Sequence, residues 1–317
     1  MLDRLTLERT DADEPAADCV PPGAQHHATR ARLTAADGVL LHYRSWTPDR
    51  RATAGVLLFV HGIASHGGWF SETAAHLAER GIAVYAPDRR GSGLSGGPRG
   101  HLLRYEQAVD DLHRFVDLAS HEHPGRPLFL AGSSWAAKVA LVVAALHEER
   151  LAGLLLHGPG LFPRVDLSLP RKLAVLLSYQ SRPEHQLPIP LVPSDYTRQP
   201  AHLEYIRNDP YRLLTASSRL FWETRRLDRC RDESARRLTL PILLQIGADD
   251  PMMRVQTTCR WFERLHAPDR TTVVYRGAAH TLDFEPEPTI RAYRADLLGW
   301  LRRQIGGNTR GETRHDR

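Results

Sequence analysis

The chain has 317 residues, 42% apolar and 25% charged, enough for one large domain, or a domain with an insertion, around a buried core. Its formal charge of +5 comes almost wholly from arginines scattered through every segment, with Lys138 and Lys172 the sole lysines, and no stretch concentrates basic with aromatic residues, so nucleic acid is excluded as a partner. Cys19, Cys230 and Cys259 are odd in number and far apart, which excludes a disulfide framework or cysteine-based metal cluster; with no bilayer-length apolar run and no secretion signal, the expectation is a cytoplasmic protein without stable membrane insertion.

Residues 1–28 are polar and proline-containing and are expected to be disordered. "ARLTAADGVLLHYRSW" (31–46) predicts two antiparallel strands around an Asp37-Gly38 turn. Near-continuous apolar runs at 55–62, 81–88, 127–133, 151–158, 240–247 and 271–277 predict strands covered on both faces. Helical patterns fit 70–80, 104–121, 134–149, 254–266 and 286–304. The alternation predicts an α/β fold with a mainly parallel sheet flanked by helices. Residues 161–237 contain no strand-like run, only proline-rich turns and amphipathic helical stretches. They read as a helical cap inserted into a core of 29–160 and 238–305, over the sheet edge where such folds bind ligands. Residues 306–317 read as a disordered tail.

Two serines compete for the role of nucleophile. The literal G-x-S-x-G match is "GLSGG" (93–97), but a glycine-rich loop and Pro98 follow Ser95 where a nucleophile elbow needs a helix. The overlapping G-x-G-x-x-G at Gly91, Gly93 and Gly96 lacks the helix a dinucleotide site needs. Ser134 sits in "PLFLAGSSWAAKVALVV", a buried strand followed at once by a strong helix former. Gly132 is the small residue two before it, and Ala136 stands where the motif has glycine. Ser134 is therefore the better candidate.

A serine hydroxyl needs a general base that is itself oriented by a carboxylate. His280 follows the last predicted strand, and "LLQIGADDP" offers Asp249 and Asp250 after an earlier one. An oxyanion would need two backbone donors, for which Trp135 N–H and Ile63 N–H, in "HGIASHGG", are the candidates. His61 reads as a residue that holds the turn.

These segments resemble the α/β-hydrolase superfamily, in its monoacylglycerol lipase and lysophospholipase branch related to serine aminopeptidases. "VHGIASHGGWF" is similar to the branch's oxyanion loop, "APDRRGSGLSGG" to its D-x-R-G-x-G-x-S-x-G segment, and "GSSWAAK" to its elbow, with alanines for two glycines. "LLQIGADDPM" and "GAAHTLDFEP" resemble the acid and base segments. The resemblance implies an α/β-hydrolase fold of the eight-stranded type. It also implies Ser134 as nucleophile, Asp250 rather than Asp249 as acid, His280 as base, and Ile63 and Trp135 as oxyanion donors.

The expected activity is hydrolysis of a small hydrophobic acyl ester, of the monoacylglycerol or lysophospholipid kind, through an acyl-enzyme and with no cofactor or metal. The same triad could serve a thioesterase, amidase or acyltransferase, and a non-catalytic ligand-binding relative is the rival from another class. Of the cap aromatics Phe162, Tyr179, Tyr196, Tyr205, Tyr211, Phe221 and Trp222, most are expected to pack the cap and the rest to line an acyl pocket. The oligomeric state is not legible.

Overall fold

The computed structural model describes residues 7–8, 19–24, 28–48 and 52–312, so most of the stretch 1–28 read as disordered lies outside the described residues. After a two-residue strand β1 (Leu7–Glu8), β2 (Thr29–Thr34) and β3 (Leu40–Trp46) pair antiparallel as the expected hairpin. Gly38 takes φ +81° in its turn, a conformation open to glycine without steric cost. There follow β4 (Gly55–Val60), α1 (Ser71–Ala78), β5 (Ile82–Pro87), α2 (Tyr105–Glu122), β6 (Leu128–Ser133), α3 (Ala136–Leu146) and β7 (Gly153–His157). A long connection then holds α4 (Leu169–Ser178), β8 (Gln186–Pro188), α5 (Pro193–Tyr196), α6 (Pro200–Asn208), β9 (Thr215–Ser217) and α7 (Ser218–Arg237). The chain closes with β10 (Ile242–Gly247), α8 (Val255–Glu263), β11 (Arg270–Tyr275) and α9 (Thr289–Glu312).

The main sheet runs β1-β2-β3-β5-β4-β6-β7-β10-β11. Its β1–β3 edge is antiparallel, and every pairing from β5 to β11 is parallel. Both faces are covered along the central strands, so successive side chains of one strand enter different cores. Val56, Leu58 and Val60 of β4 pack with Leu112 and Phe115 of α2 and Val139 and Val143 of α3. Leu57 and Phe59, between them, join Leu77 of α1 and Tyr293, Leu297 and Trp300 of α9. This two-sided burial is why the strands read as unbroken apolar runs.

Three expectations need correction. The run at 271–277 is not covered on both faces: β11 is the edge strand, and while Val273 packs inward, Val274 is 43% exposed. The interval 161–237 is not strandless, because β8 and β9 form a two-stranded antiparallel ribbon. Three residues per strand are too few for an alternating pattern to show. Finally, α9 continues to Glu312, into the stretch 306–317 read as a tail, and only 313–317 lie outside the described residues. A helix already nucleated adds one bond per residue, so it carries through Gly306 and Gly307 despite their poor propensity.

In the long connection, α7 packs along α3. Trp135 Nε1 donates to Thr224 Oγ1 at 2.8 Å, and Lys138 Nζ pairs with Asp228 at 2.5 Å. These contacts tie the connection to the helix that follows β6. Among the described residues, no helix is long and apolar enough to cross a membrane.

Candidate active site

The segments that follow β4, β6, β10 and β11 meet at the carboxyl ends of the parallel strands, on either side of the point where the order switches from β5-β4 to β6. Ligands of open α/β sheets bind at this edge.

Between β6 and α3 the backbone reverses sharply enough to drive Ser134 to φ +50°, the only non-glycine residue at positive φ among those described. An L-residue held there stores roughly 1–2 kcal/mol of strain. The turn is closed by bonds from Ser134 N–H to the His157 carbonyl at 3.0 Å and from Gly160 N–H to the Ser134 carbonyl at 2.8 Å. Gly132 is what makes the reversal feasible: a Cβ there would lie 2.7 Å from both Ala137 Cα and Ala140 Cβ. The demand for smallness falls on that position, and Ala136 fits, fully buried, where the motif has glycine.

Ser95, in the literal motif, has a different occupation. Its buried hydroxyl donates to the Asp88 carbonyl at 2.6 Å and accepts from His42 N–H at 2.8 Å, holding the loop after β5. Asp88 anchors that loop with Arg44 and His42. Burial alone would raise the Asp88 pKa, but these two partners outweigh it and hold the carboxyl well below its usual range.

The two candidate acids part company. Asp249 is exposed and faces Arg198 at 3.5 Å. Asp250 is buried: its Oδ1 accepts from Met252 N–H at 2.8 Å and Met253 N–H at 3.1 Å, and its Oδ2 lies 2.7 Å from His280 Nδ1. Three donors share the one carboxylate, which fixes the imidazole plane. With Nδ1 bearing the proton toward Asp250, Nε2 is the basic nitrogen of neutral His280. The loops that carry the two residues touch at Gly247, where a Cβ would collide with the Ala279 carbonyl.

His280 and Ser134 line one small pocket of about 30 Å³, room for a single water, together with Ile63, Ser65, Tyr196 and Thr281. Tyr196 is buried beside His280, with ring centroids 6.3 Å apart, and its hydroxyl has no hydrogen-bond partner in the described structure. Ser134, Ile63 and Trp135 also line a larger cavity of about 320 Å³ between α3, α4 and α7. Its walls are mainly apolar (Val165, Leu176, Ile189, Phe221, Met252 and Met253), while Lys138–Asp228 and Asp166–Lys172 pairs supply charge. Burial lowers the Lys138 pKa.

Of the seven cap aromatics, Phe221 and Trp222 line the large cavity and Tyr196 the small one. Phe162 packs on Trp261, Tyr179 on Trp222, Tyr205 on Trp69, and Tyr211 on His66. His61 holds its turn through both ring nitrogens: Nδ1 donates to the Gly62 carbonyl and Nε2 accepts from Arg89 N–H, each at 2.9 Å. Burial and the Arg89 charge push its pKa well below the ordinary histidine value.

Cys19, His66 and Asp209 bring potential metal-ligating atoms within 4.8 Å of one another. Two of the three, His66 and Asp209, are engaged with protein groups. His66 Nε2 pairs with Asp209 at 3.2 Å, Trp69 Nε1 donates to the same carboxylate at 2.8 Å, and His66 Nδ1 accepts from Gly68 N–H. The cluster pins the loop after β4 to the end of α6.

Residues 51–287, most of the chain, match the family described as serine aminopeptidase, S33 (Hydrolase_4). The chain belongs to the S33 family. Relatives include a monoacylglycerol lipase of Mycolicibacterium smegmatis, 27% identical over 83% of this chain and 93% of its own. The human monoglyceride lipase is 29% identical over 81% of this chain and 85% of its own. Among solved structures, a soluble variant of Saccharomyces cerevisiae monoglyceride lipase in complex with a substrate analog superposes with a TM-score of 0.80. It is 19% identical and covers 90% of this chain and 98% of that one. This S33 member is thus a hydrolase with the α/β-hydrolase fold, its eight-stranded sheet extended here by the two-residue β1.

Some residues that meet at this candidate site were not picked out from the sequence. Met252 and Met253 both bond Asp250 through their amides and wall the large cavity. Their nearness to "ADD" was the available clue. Gly160, just past the end of the neighbouring strand β7, packs against the Ser134 carbonyl, a contact that only the folded chain creates.

Proposed function

We propose that this chain is a carboxylic ester hydrolase that forms an acyl-enzyme on Ser134 and acts on hydrophobic acyl esters of the monoacylglycerol or lysophospholipid kind. The observation that carries this reading is the strained Ser134 at φ +50°, sharing a pocket with a His280 whose Nδ1 is held 2.7 Å from buried Asp250.

In this mechanism His280 Nε2 takes the Ser134 proton as the serine oxygen attacks the acyl carbonyl. Ile63 and Trp135 N–H receive the developing oxyanion. Protonated His280, stabilised by Asp250, hands its proton to the leaving alcohol. A water in the small pocket, deprotonated by His280, then releases the acid. Asp250 accepts from three donors and so holds the imidazole in place through the cycle.

Residues 161–237 act as the cap of a core made from 29–160 and 238–305, and they select the substrate. The apolar large cavity suits the acyl chain. Leu176 lines it while remaining 53% exposed, so its mouth lies beside α4, whose Leu169, Leu173 and Leu177 are also exposed. An opening ringed with leucines suits a substrate arriving from a lipid phase, and the names of the two relatives support the same class. The separated cysteines suit a reducing cytoplasm.

A fluorophosphonate probe is expected to label the wild type and not Ser134→Ala, and hydrolysis of monoacylglycerols is expected to vanish with the label. Labelling that persists in Ser134→Ala, or no turnover of p-nitrophenyl esters of any chain length, would sink the proposal.

A further inference from the structure

Two adjacent arginines follow Asp88 and meet opposite fates. Arg90 is neutralised by carboxylates, with Nε 2.6 Å from Asp111 and Nη1 2.8 Å from Asp37. The guanidinium of Arg89 turns inward and, among the described residues, makes its contacts with neutral groups. Its Nη2 donates to the carbonyls of Gly62 and Ile63, each at 2.9 Å, and to Ser92 Oγ at 3.2 Å. Its Nε is sealed from solvent without a hydrogen-bond partner, and its Cζ lies 4.6 Å from the centre of the Trp135 ring. Burial lowers its pKa to about 9, which leaves it a cation at neutral pH. Such a cation, partly buried and held by carbonyls and a hydroxyl rather than by a paired carboxylate, costs some desolvation.

The contacts converge on one place. The Gly62 carbonyl belongs to the same rigid peptide plane as Ile63 N–H, and it accepts both Arg89 Nη2 and His61 Nδ1. Two donors on that oxygen fix the direction of the N–H across the plane and increase its polarity. The face of the same guanidinium rests on Trp135, whose own N–H opens α3. One side chain therefore touches the backbone of one segment read as an oxyanion donor and the indole of the other.

We propose that Arg89 is a positioning residue for the oxyanion hole: it aims the Ile63 amide, braces Trp135, and places positive charge behind the site where negative charge develops. This rests on the ester-hydrolase reading given above. Arg89 never meets the substrate; it acts through the peptide plane and the indole.

The test uses the full chain as wild type, Arg89→Met and Arg89→Lys, with thermal melting recorded for each. Inhibition by an alkyl trifluoromethyl ketone, which becomes a tetrahedral oxyanion on Ser134, is compared with inhibition by the matching secondary alcohol, which cannot. For Arg89→Met, kcat on p-nitrophenyl butyrate is expected to fall about 10- to 100-fold with KM within about twofold, less than the loss of a whole donor. Ketone affinity should fall by a similar factor while alcohol affinity stays within about twofold. Arg89→Lys, which keeps a cation but not the fork, should recover part of the ketone affinity. If Arg89→Met does not fold, the Lys variant decides, with a ketone-to-alcohol ratio at least about threefold below wild type as the expected result. An unchanged ratio, or equal loss of ketone and alcohol binding, overturns the assignment. Hydrolysis that survives Ser134→Ala would instead defeat the ester-hydrolase reading, whatever the Arg89 variants do.

Discussion

Replacing Ser134 by glycine is expected to yield a more stable protein than replacing it by alanine. Both changes remove the hydroxyl, and both keep the backbone N–H that bonds the His157 carbonyl at 3.0 Å. They differ at φ +50°, where alanine keeps the steric cost of a Cβ and glycine does not. That cost is roughly 1–2 kcal/mol, against which glycine loses about 0.5–1 kcal/mol more conformational freedom on folding. The balance favours glycine by about 0.5–1 kcal/mol. At an ordinary negative φ the sign would be reversed, with alanine ahead by a similar amount. In a chain of 317 residues the gap corresponds to only about 1 °C in melting temperature, so urea midpoints at constant m-value are the better assay. Should Ser134→Ala match or exceed Ser134→Gly in stability, the elbow does not store strain at this residue and the argument from its geometry fails.

Asp250→Asn should lower kcat on a short ester by about 10³–10⁴-fold with the fold intact, whereas Asp249→Asn, at an exposed carboxylate 3.5 Å from Arg198, should stay within about twofold; steady-state kinetics of the pair decide which acid orients His280. Leu176→Trp should fill the large cavity near its mouth, raising KM for a dodecanoyl ester about tenfold or more while a butyryl ester is barely affected; a uniform change would show that the acyl chain lies elsewhere. His61 is held neutral, its folded pKa well below the ordinary 6.5, so the unfolded chain takes up its proton first and stability is lost as pH falls below about 6.5. His61→Gln should therefore flatten the stability slope between pH 6.5 and 5 by up to about 1.4 kcal/mol per pH unit, as read by urea unfolding; an unchanged slope would mean that His61 protonates equally in both states.

Much of the architecture was legible because the driving patterns are local. Strands buried on both faces must be apolar throughout, and helices over them must be amphipathic, so β4, β5, β6, β7 and β10 and the helices between them could be placed from the chain alone. The elbow was legible for the same reason: a buried strand, a small residue at 132 and an immediate helix lie within one short segment. By itself the sequence determined the α/β class, and it put forward Ser134 rather than Ser95, with a short list of partners, as the site now proposed. Tertiary structure decided what depends on distant neighbours. Asp250 and Asp249 are adjacent in sequence and chemically identical, and only the approach of the β11 loop gives one of them to His280. Arg89 and Arg90 are likewise adjacent, and only the folded loops send one to two carboxylates and the other to the Gly62–Ile63 peptide. The edge position of β11 and the cavity between α3, α4 and α7 are also properties of assembly. A residue's own chemistry is written at its position, but its partner is chosen by which chain segment the packed sheet brings within 3 Å or so, and short-range patterns carry no record of that choice.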